Sequence, residues 1–173
     1  MLKSVTVVIA SIFLTSILAA DEPGPSKDIP ELAPLSNWAG DWAGQVEKPT
    51  LRQPGPSKGV WIVEGRYLQQ SWKIPVDDNN PALSATVIST YDANEKVYRQ
   101  WQFMSDGTTG QQTGKWDAAA NTMTWTERKP DGLTIVTKAR FPNPDLQLWT
   151  ITGTDRAGQM VFELSGNSKR QKK

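Results

Sequence analysis

The chemistry open to this chain is limited by two residue types that it does not contain. Its 173 residues include no histidine and no cysteine. Ser-His-Asp and Cys-His nucleophiles are therefore excluded, as are the common zinc sites and haem ligation by histidine or cysteine. Carboxylates, tyrosines and arginines remain for acid–base work, with Glu64, Arg66, Tyr67 and Tyr91 as candidates. Nothing in the sequence singles out one of them, so we predict no catalytic residue, no metal site and no cofactor.

Glu64 and Arg66 flank Gly65, and a continuous strand would place both side chains on one face. Such a pair could act inside a cavity or lie on the outer surface, and Gly65 also indicates a β-bulge that would re-aim it. The oxygen-rich run at residues 77–80 lacks the spaced ligands of a calcium loop and reads as a solvated turn.

The eight tryptophans carry the most information about binding. Six of them fall in separate predicted strands, where they could either fill a core or line one cavity. Indoles bury large areas and commonly fill cores, whereas small-molecule sites are also mostly apolar with few polar groups. The candidate cavity residues, tryptophans and neighbouring polar or aromatic residues together, are Trp61, Arg66, Tyr67, Trp72, Tyr91, Arg99, Trp101, Phe103, Trp116, Trp125 and Trp149.

The segment "KVYRQWQFMS" places a polar group inside whichever face turns inward. One face carries Arg99, Trp101 and Phe103, and the other carries Gln100 and Gln102. We favour the first face as interior, with Arg99 near the mouth as an anchor for a carboxylate.

Short runs rich in Val, Ile, Thr, Tyr and Trp recur about every ten residues, separated by turns such as "SDGT" and "KPDG". The predicted strands are Trp42–Glu47, Gly59–Glu64, Arg66–Lys73, Leu83–Tyr91, Lys96–Ser105, Thr109–Trp116, Thr122–Arg128, Thr134–Phe141, Leu146–Thr152 and Gln159–Ser165. A short helical turn is predicted at "IPELAPLSNW". Short connections favour an all-β, up-and-down meander barrel over a two-sheet sandwich, the alternative.

The chain divides into four segments by composition. Residues 1–20 resemble a secretory signal peptide, with an uncleaved anchor as the alternative, and residues 21–34 read as a Pro-rich spacer. Residues 35–168 form the barrel domain, and residues 169–173 read as a frayed basic tail. Without Lys3 the chain has 18 basic residues (19 less one) and 18 acidic ones, which argues against nucleic acid as a partner. Export without cysteine favours a bacterial envelope, periplasmic or secreted, with no stable membrane insertion after cleavage.

Gly40-Asp41-Trp42, at the start of the first strand, matches the Gly-x-Trp signature of lipocalins and their calycin relatives. Further matches are "VEGRYL" (63–68), "STYDANEKVYRQW" (89–101), "SDGTTGQQTGKWD" (105–117) and "TMTWTERKPDG" (122–132). Together these segments resemble the exported lipocalin-like family known as domain of unknown function number 1579. The resemblance spans residues 35–169.

This resemblance implies a calycin-type barrel whose interior could hold a small apolar molecule, and it implies no known reaction. It also implies that Trp42 plugs one barrel end, stacked by Lys169 or Arg170 in a cation–π contact. Trp38 would pack beside this plug.

Three functions follow from these patterns. The favoured one is an exported, non-enzymatic protein that binds a small lipophilic or aromatic ligand inside the barrel. The alternative is a cell-envelope interaction module with a filled barrel. A carboxylate- and tyrosine-based isomerase or hydrolase is the least favoured.

Overall fold

Ten strands joined in chain order by short turns make up most of the computed structural model, which describes residues 23–48, 53–76 and 81–172. A 3₁₀ helix, Pro30–Trp38, precedes them. The strands are β1 (Gly40–Lys48), β2 (Pro56–Ile62), β3 (Tyr67–Ile74), β4 (Leu83–Asp92), β5 (Val97–Met104), β6 (Thr109–Asp117), β7 (Thr122–Arg128), β8 (Thr134–Asn143), β9 (Leu146–Thr154) and β10 (Met160–Arg170).

The sheet closes on itself because β1 pairs antiparallel with both β2 and β10. Strands β2 to β9 each pair with their two neighbours in the chain, and β10 pairs with β9 and β1, so none of the described strands is left with an open edge. The predicted meander barrel of ten strands is confirmed, and the two-sheet sandwich is wrong.

The Asp-Gly turns form as their residue types require. Gly107 and Gly132 have φ of 86° and 94°, values that other residues rarely adopt. The preceding Asp106 and Asp131 each accept a hydrogen bond from the backbone N–H two residues on, at 2.9 and 3.0 Å. These turns hold consecutive strands close enough to pair directly.

The 3₁₀ helix closes one end of the barrel. Pro30 begins it, at a position whose missing N–H costs nothing. Leu32 and Leu35 are completely buried, and Trp38 is buried beside them. The helical turn predicted from the sequence is therefore confirmed, although it begins within the segment that we interpreted as a spacer. Among the described residues, no helix is long and apolar enough to cross a membrane.

Both ends of the described chain are more ordered than the sequence suggested. Ser26 N–H donates to the Gly65 carbonyl at 2.9 Å, so the residues before the helix pack against the turn between β2 and β3. A Cβ on Gly65 would lie 2.3 Å from the Gly24 carbonyl oxygen. At the other end, β10 continues through Arg170, so part of the expected basic tail belongs to the barrel. The signal-peptide segment and residues 77–80 lie outside the described residues.

The barrel interior has two halves. The closed half, next to the 3₁₀ helix, is filled by a continuous apolar core that consists of Leu32, Leu35, Trp38, Trp42, Trp61, Leu68, Tyr98, Met123, Trp125, Ala139 and Phe141. The open half, beyond this core, contains a cavity.

Candidate functional site

The cavity in the open half has a volume of about 600 Å³. Its floor includes Trp38, which also belongs to the closed core. Large apolar side chains form much of its wall, and these are Val46, Trp72, Ile74, Trp149, Ile151 and Leu164. A cavity of this size and lining is typical of small-molecule sites in proteins.

Strand alternation brings the two cavity tryptophans inward. Trp72 lies on the same face of β3 as the buried Leu68, with which it shares an even spacing. Trp149 of β9 pairs with Gly166 of β10. A Cβ on Gly166 would lie only 2.4 Å from Cζ2 of Trp149, so the glycine makes room for the indole. The tryptophan wall therefore depends on a small residue in the neighbouring strand.

Amides supply most of the cavity's polar groups. The glutamines that line it are Gln70, Gln100, Gln102, Gln112 and Gln147. Gln100 Nε2 donates to Ser89 Oγ at 3.1 Å, and Gln102 Nε2 donates to Gln100 Oε1 at 3.4 Å. Gln112 is 4% exposed, and its Oε1 has no hydrogen-bond partner among the described residues. The cavity wall thus contains a buried acceptor that has no donor among the described residues.

The described residues that line the cavity include no charged side chain. The buried acid among the described residues is Glu127, which follows Trp125 on the inward face of β7 and is 7% exposed. Its Oε1 lies 2.5 Å from Lys129 Nζ, so the carboxylate forms an ion pair with the lysine that directly follows β7. Within the described part of the chain, no group of three or more acidic residues could hold a metal ion. The site is therefore electrically neutral.

The opposite end of the barrel is plugged by Trp42. Arg170 Cζ lies 4.4 Å from the centroid of the Trp42 ring, and the contact predicted between this indole and a basic residue of the last strand is present. The guanidinium also donates to the carbonyls of Asn37, Ala39 and Pro144. One side chain therefore joins the end of the helix to the turn between β8 and β9.

Aromatic rings pack edge to face around this plug. Phe141 lies 4.6 Å from Trp38 and 6.4 Å from Trp42, measured between ring centroids. Tyr98 makes similar contacts with Tyr91, at 5.1 Å, and with Trp125, at 6.4 Å. Such pairs add to the free energy gained by burying the rings.

Tyr98 is a buried tyrosine of β5. Its hydroxyl donates to the Glu31 carbonyl at 2.7 Å, which ties β5 to the helix. Burial raises the pKa of Tyr98 to about 12, with smaller contributions from Tyr91 and Glu31. The phenol is therefore a structural donor at neutral pH.

The structure separates the predicted cavity residues into three groups. Trp72 and Trp149 line the cavity. Four others belong to the closed core or pack against it, and these are Trp61, Tyr91, Trp116 and Trp125. The remaining five lie outside the barrel interior, and these are Arg66, Tyr67, Arg99, Trp101 and Phe103.

The orientation that we favoured for β5 is wrong. Tyr98 and Gln100 point inward and are 7% exposed, whereas Phe103 is 48% exposed on the outer face. Arg99 lies on that outer face near the closed end, where it pairs with Asp92, at 3.6 Å, and with Glu95. Burying an uncompensated guanidinium costs far more than burying amides that bond to each other, so the glutamine face turns inward.

Of the alternatives left open for Glu64 and Arg66, the structure agrees with a position on the outer surface, because the strand does not continue between them. Val63, Glu64 and Gly65 all have positive φ, and they form the turn from β2 to β3. Arg66 Nη2 lies 3.8 Å from Asp28, with both side chains largely exposed. Tyr67 then alternates with the buried Leu68 and points outward. These acid and base candidates therefore lie outside the cavity.

Comparisons with known proteins support the fold but do not indicate an activity. No family model matches the chain, and no curated protein matches it. The structure is similar to that of Rv2717c from M. tuberculosis, with 15% identity and a TM-score of 0.59 over 83% of this chain and 98% of that one. It is also similar to the S-type phycobiliprotein lyase CPES from Guillardia theta, with 13% identity and a TM-score of 0.50 over 80% and 90% of the two chains. At such identities the likeness shows a shared barrel fold alone.

Gln70, Gln112 and Gln147 were not predicted as cavity residues, and Gln100 and Gln102 lay on the β5 face that we did not favour. One signal was available in "YLQQSW", where Gln70 lies between Leu68 and Trp72 at even spacing. A glutamine on the same face as two large apolar residues indicates a polar group inside the barrel.

Proposed function

We propose that this protein is a binding protein that holds a small lipophilic or aromatic molecule in the open half of its barrel. The observation that carries the proposal is the cavity of about 600 Å³, walled by Trp72, Trp149 and aliphatic side chains. Filling it with an apolar molecule would remove both the ligand's surface and the tryptophan faces from water. The few amide groups on the wall would orient the ligand.

We further propose that the protein is exported and belongs with the lipocalin-like family number 1579. Export rests on the charged start, apolar run and small residues of segment 1–20. The family assignment rests on Gly40-Asp41-Trp42 and the turn motifs that follow it. Detection of the mature protein in the envelope or medium of its source cells, with its N-terminus near residue 21, would test the first part.

The two other functions have less support. A filled barrel describes the closed half but not the open half, which contains the cavity. An isomerase or hydrolase of the kind considered would need carboxylate or phenol groups that converge in a cleft. The candidates Glu64, Arg66 and Tyr67 lie away from the cavity, and Tyr91 packs against the closed core.

Native mass spectrometry of protein purified from its own source tests the proposal. We expect a population heavier than the bare chain by the mass of a small molecule, which organic solvent then releases for identification. Leu164→Trp, which fills the cavity wall, should lose this adduct. Glu163→Trp places the same side chain on the exposed outer face of the same strand and should keep it.

The proposal fails if the purified protein carries no adduct and also binds none of a panel of small apolar dyes while it remains folded. It also fails if Leu164→Trp and Glu163→Trp bind the same molecule equally, because occupancy would then not depend on the cavity.

A further inference from the structure

Gln112 is the least explained residue in the barrel. It lies in the middle of β6, between Gly110 and Gly114, and it pairs with Gln100 across the strands. Its side chain is 4% exposed and lines the cavity. Its Oε1 is the one buried side-chain polar atom of the described residues that lacks a hydrogen-bond partner. A buried acceptor without a donor destabilises a folded protein, so this atom needs an account.

The neighbouring amides do not supply the missing donor. Gln100 Nε2 donates to Ser89 Oγ and Gln102 Nε2 donates to Gln100 Oε1, and neither amide donates to Gln112 Oε1. Gln112 Oε1 therefore takes no part in these hydrogen bonds, although Gln112 lies directly across from Gln100. Water does not reach this oxygen even without a ligand, so a donor on a molecule in the cavity, met by a small rotation of the Gln112 amide, is the partner still open to it.

We infer that the cavity selects a neutral ligand whose apolar body packs against Trp72 and Trp149 and whose N–H or O–H group donates to Gln112 Oε1. The inference rests on the proposed binding function and specifies the class of ligand. An amphipathic molecule with an uncharged head, such as an alcohol, a phenol or an amide, fits this description.

The same lining disfavours an anionic ligand. No Lys or Arg is among the described residues that line the cavity, and Arg99, the expected anchor for a carboxylate, lies on the outer face. A carboxylate in the cavity would lose its hydration without gaining a cationic partner. The neutral amides favour a hydrogen-bonding head over a charged one.

Three probes that share one fused aromatic body separate these possibilities: naphthol, methoxynaphthalene and naphthoate. Isothermal titration calorimetry or equilibrium dialysis at neutral pH gives the dissociation constant of each for the mature protein. We expect naphthol to bind roughly five- to ten-fold more tightly than methoxynaphthalene, which has no donor. Naphthoate should bind more weakly than either.

The residue responsible is tested by a matched pair of substitutions on one strand. Gln112→Met keeps the length of the side chain but removes the acceptor, and it should bring the naphthol-to-methoxynaphthalene ratio close to one. Gln111→Met makes the same change one residue away, at an exposed position on the outer face, and should leave the ratio unchanged.

Equal binding of naphthol and methoxynaphthalene to the unsubstituted protein would overturn this inference and leave the binding function intact. A ratio that persists in Gln112→Met would also overturn it. If none of the three probes bound, the inference would be overturned, and the adduct and dye tests of the binding function would still decide that function separately. The comparison of probes on the unsubstituted protein decides the matter even if Gln112→Met does not fold.

Discussion

The closed and open halves of the barrel are made by the same ten strands, and they differ in the packing and the hydrogen bonding of their interior side chains. In the closed half, tryptophan, phenylalanine and leucine side chains form a continuous buried core, and the polar atoms of Trp42 and Tyr98 donate to backbone carbonyls. In the open half, glutamine side chains line a cavity, and the Oε1 atom of Gln112 has no hydrogen-bond partner among the described residues.

This difference indicates a division of labour along the barrel axis. Dense packing and full hydrogen bonding stabilise the closed half, which therefore supplies most of the stability of the fold. Empty volume and an unpaired acceptor reduce stability, and they are retained in folded proteins chiefly where function needs them. The changes in the free energy of unfolding that substitutions cause should therefore differ in size, and even in sign, between the two halves.

The largest effect is expected for Phe141→Ala in the closed half. Phe141 is 1% exposed and contacts Trp38 and Trp42, so its loss leaves a cavity between them. We expect the free energy of unfolding to fall by about 3–5 kcal/mol in chemical denaturation. Ile151→Ala, in a wall that already faces open space, should cost less than half as much. Equal losses would contradict the division between the halves.

A smaller loss is expected for Arg170→Met. This change removes the cation–π contact with Trp42 and the donors to three backbone carbonyls. The free energy of unfolding should fall by about 2 kcal/mol, since hydrogen bonds from a charged donor are stronger than neutral ones. Lys169→Met, an exposed neighbour on the same strand, should change it by less than about 0.5 kcal/mol. A similar effect from both substitutions would show that Arg170 is not a structural clamp.

Tyr98→Phe should cost about 1 kcal/mol at neutral pH through loss of the hydrogen bond to the Glu31 carbonyl. The pKa of Tyr98 is raised in the folded state, so the unfolded chain releases this proton first as the pH rises. The stability that the neutral phenol contributes is therefore complete below pH 10 and is lost between pH 10 and about 12.

Chemical denaturation across that pH window tests this assignment. The unsubstituted protein should lose stability more steeply than Tyr98→Phe, and the difference isolates Tyr98 from the lysines and other tyrosines. Parallel curves for the two proteins would mean that the phenol is not held neutral by its burial.

The smallest effect has the opposite sign. Gln112→Met removes the unpaired acceptor of the open half while keeping the side-chain length. Without added ligand, we expect the free energy of unfolding to rise by up to about 1 kcal/mol, because an unsatisfied buried group is replaced by an apolar one. Gln111→Met on the outer face serves as the control and should be close to neutral. Destabilisation by Gln112→Met alone would mean that its amide is satisfied in the folded protein.

The sequence predicted the elements of this fold well. All ten strands and the short helical turn were predicted close to their observed bounds, because alternation and Asp-Gly turns are local signals. The stacking of a basic residue from the last strand on Trp42 was also predicted, although from a family resemblance. The continuation of β10 to Arg170 was not, since it depends on pairing with β1, a distant segment of the chain.

The candidate site was predicted less well. Of the tryptophans that we predicted to line the cavity, only Trp72 and Trp149 are among its lining residues. The β5 glutamines that line it lie on the face that we did not favour. Alternation defines two faces of a strand, but it does not decide which face turns inward when both mix polar and aromatic residues. In β5 that choice depends on Tyr98, which reaches the helix 67 residues earlier in the chain.

The sequence by itself therefore determined the strands and their turns, since each follows from residue types within a few positions of one another, and the short connections favoured a barrel over a sandwich. Only the tertiary structure decided which half of the barrel is filled. The helix packs into one end and brings large aromatic side chains there, and the other end keeps its amides and its space. The unpaired oxygen of Gln112 exists only because strands far apart in the chain meet around it.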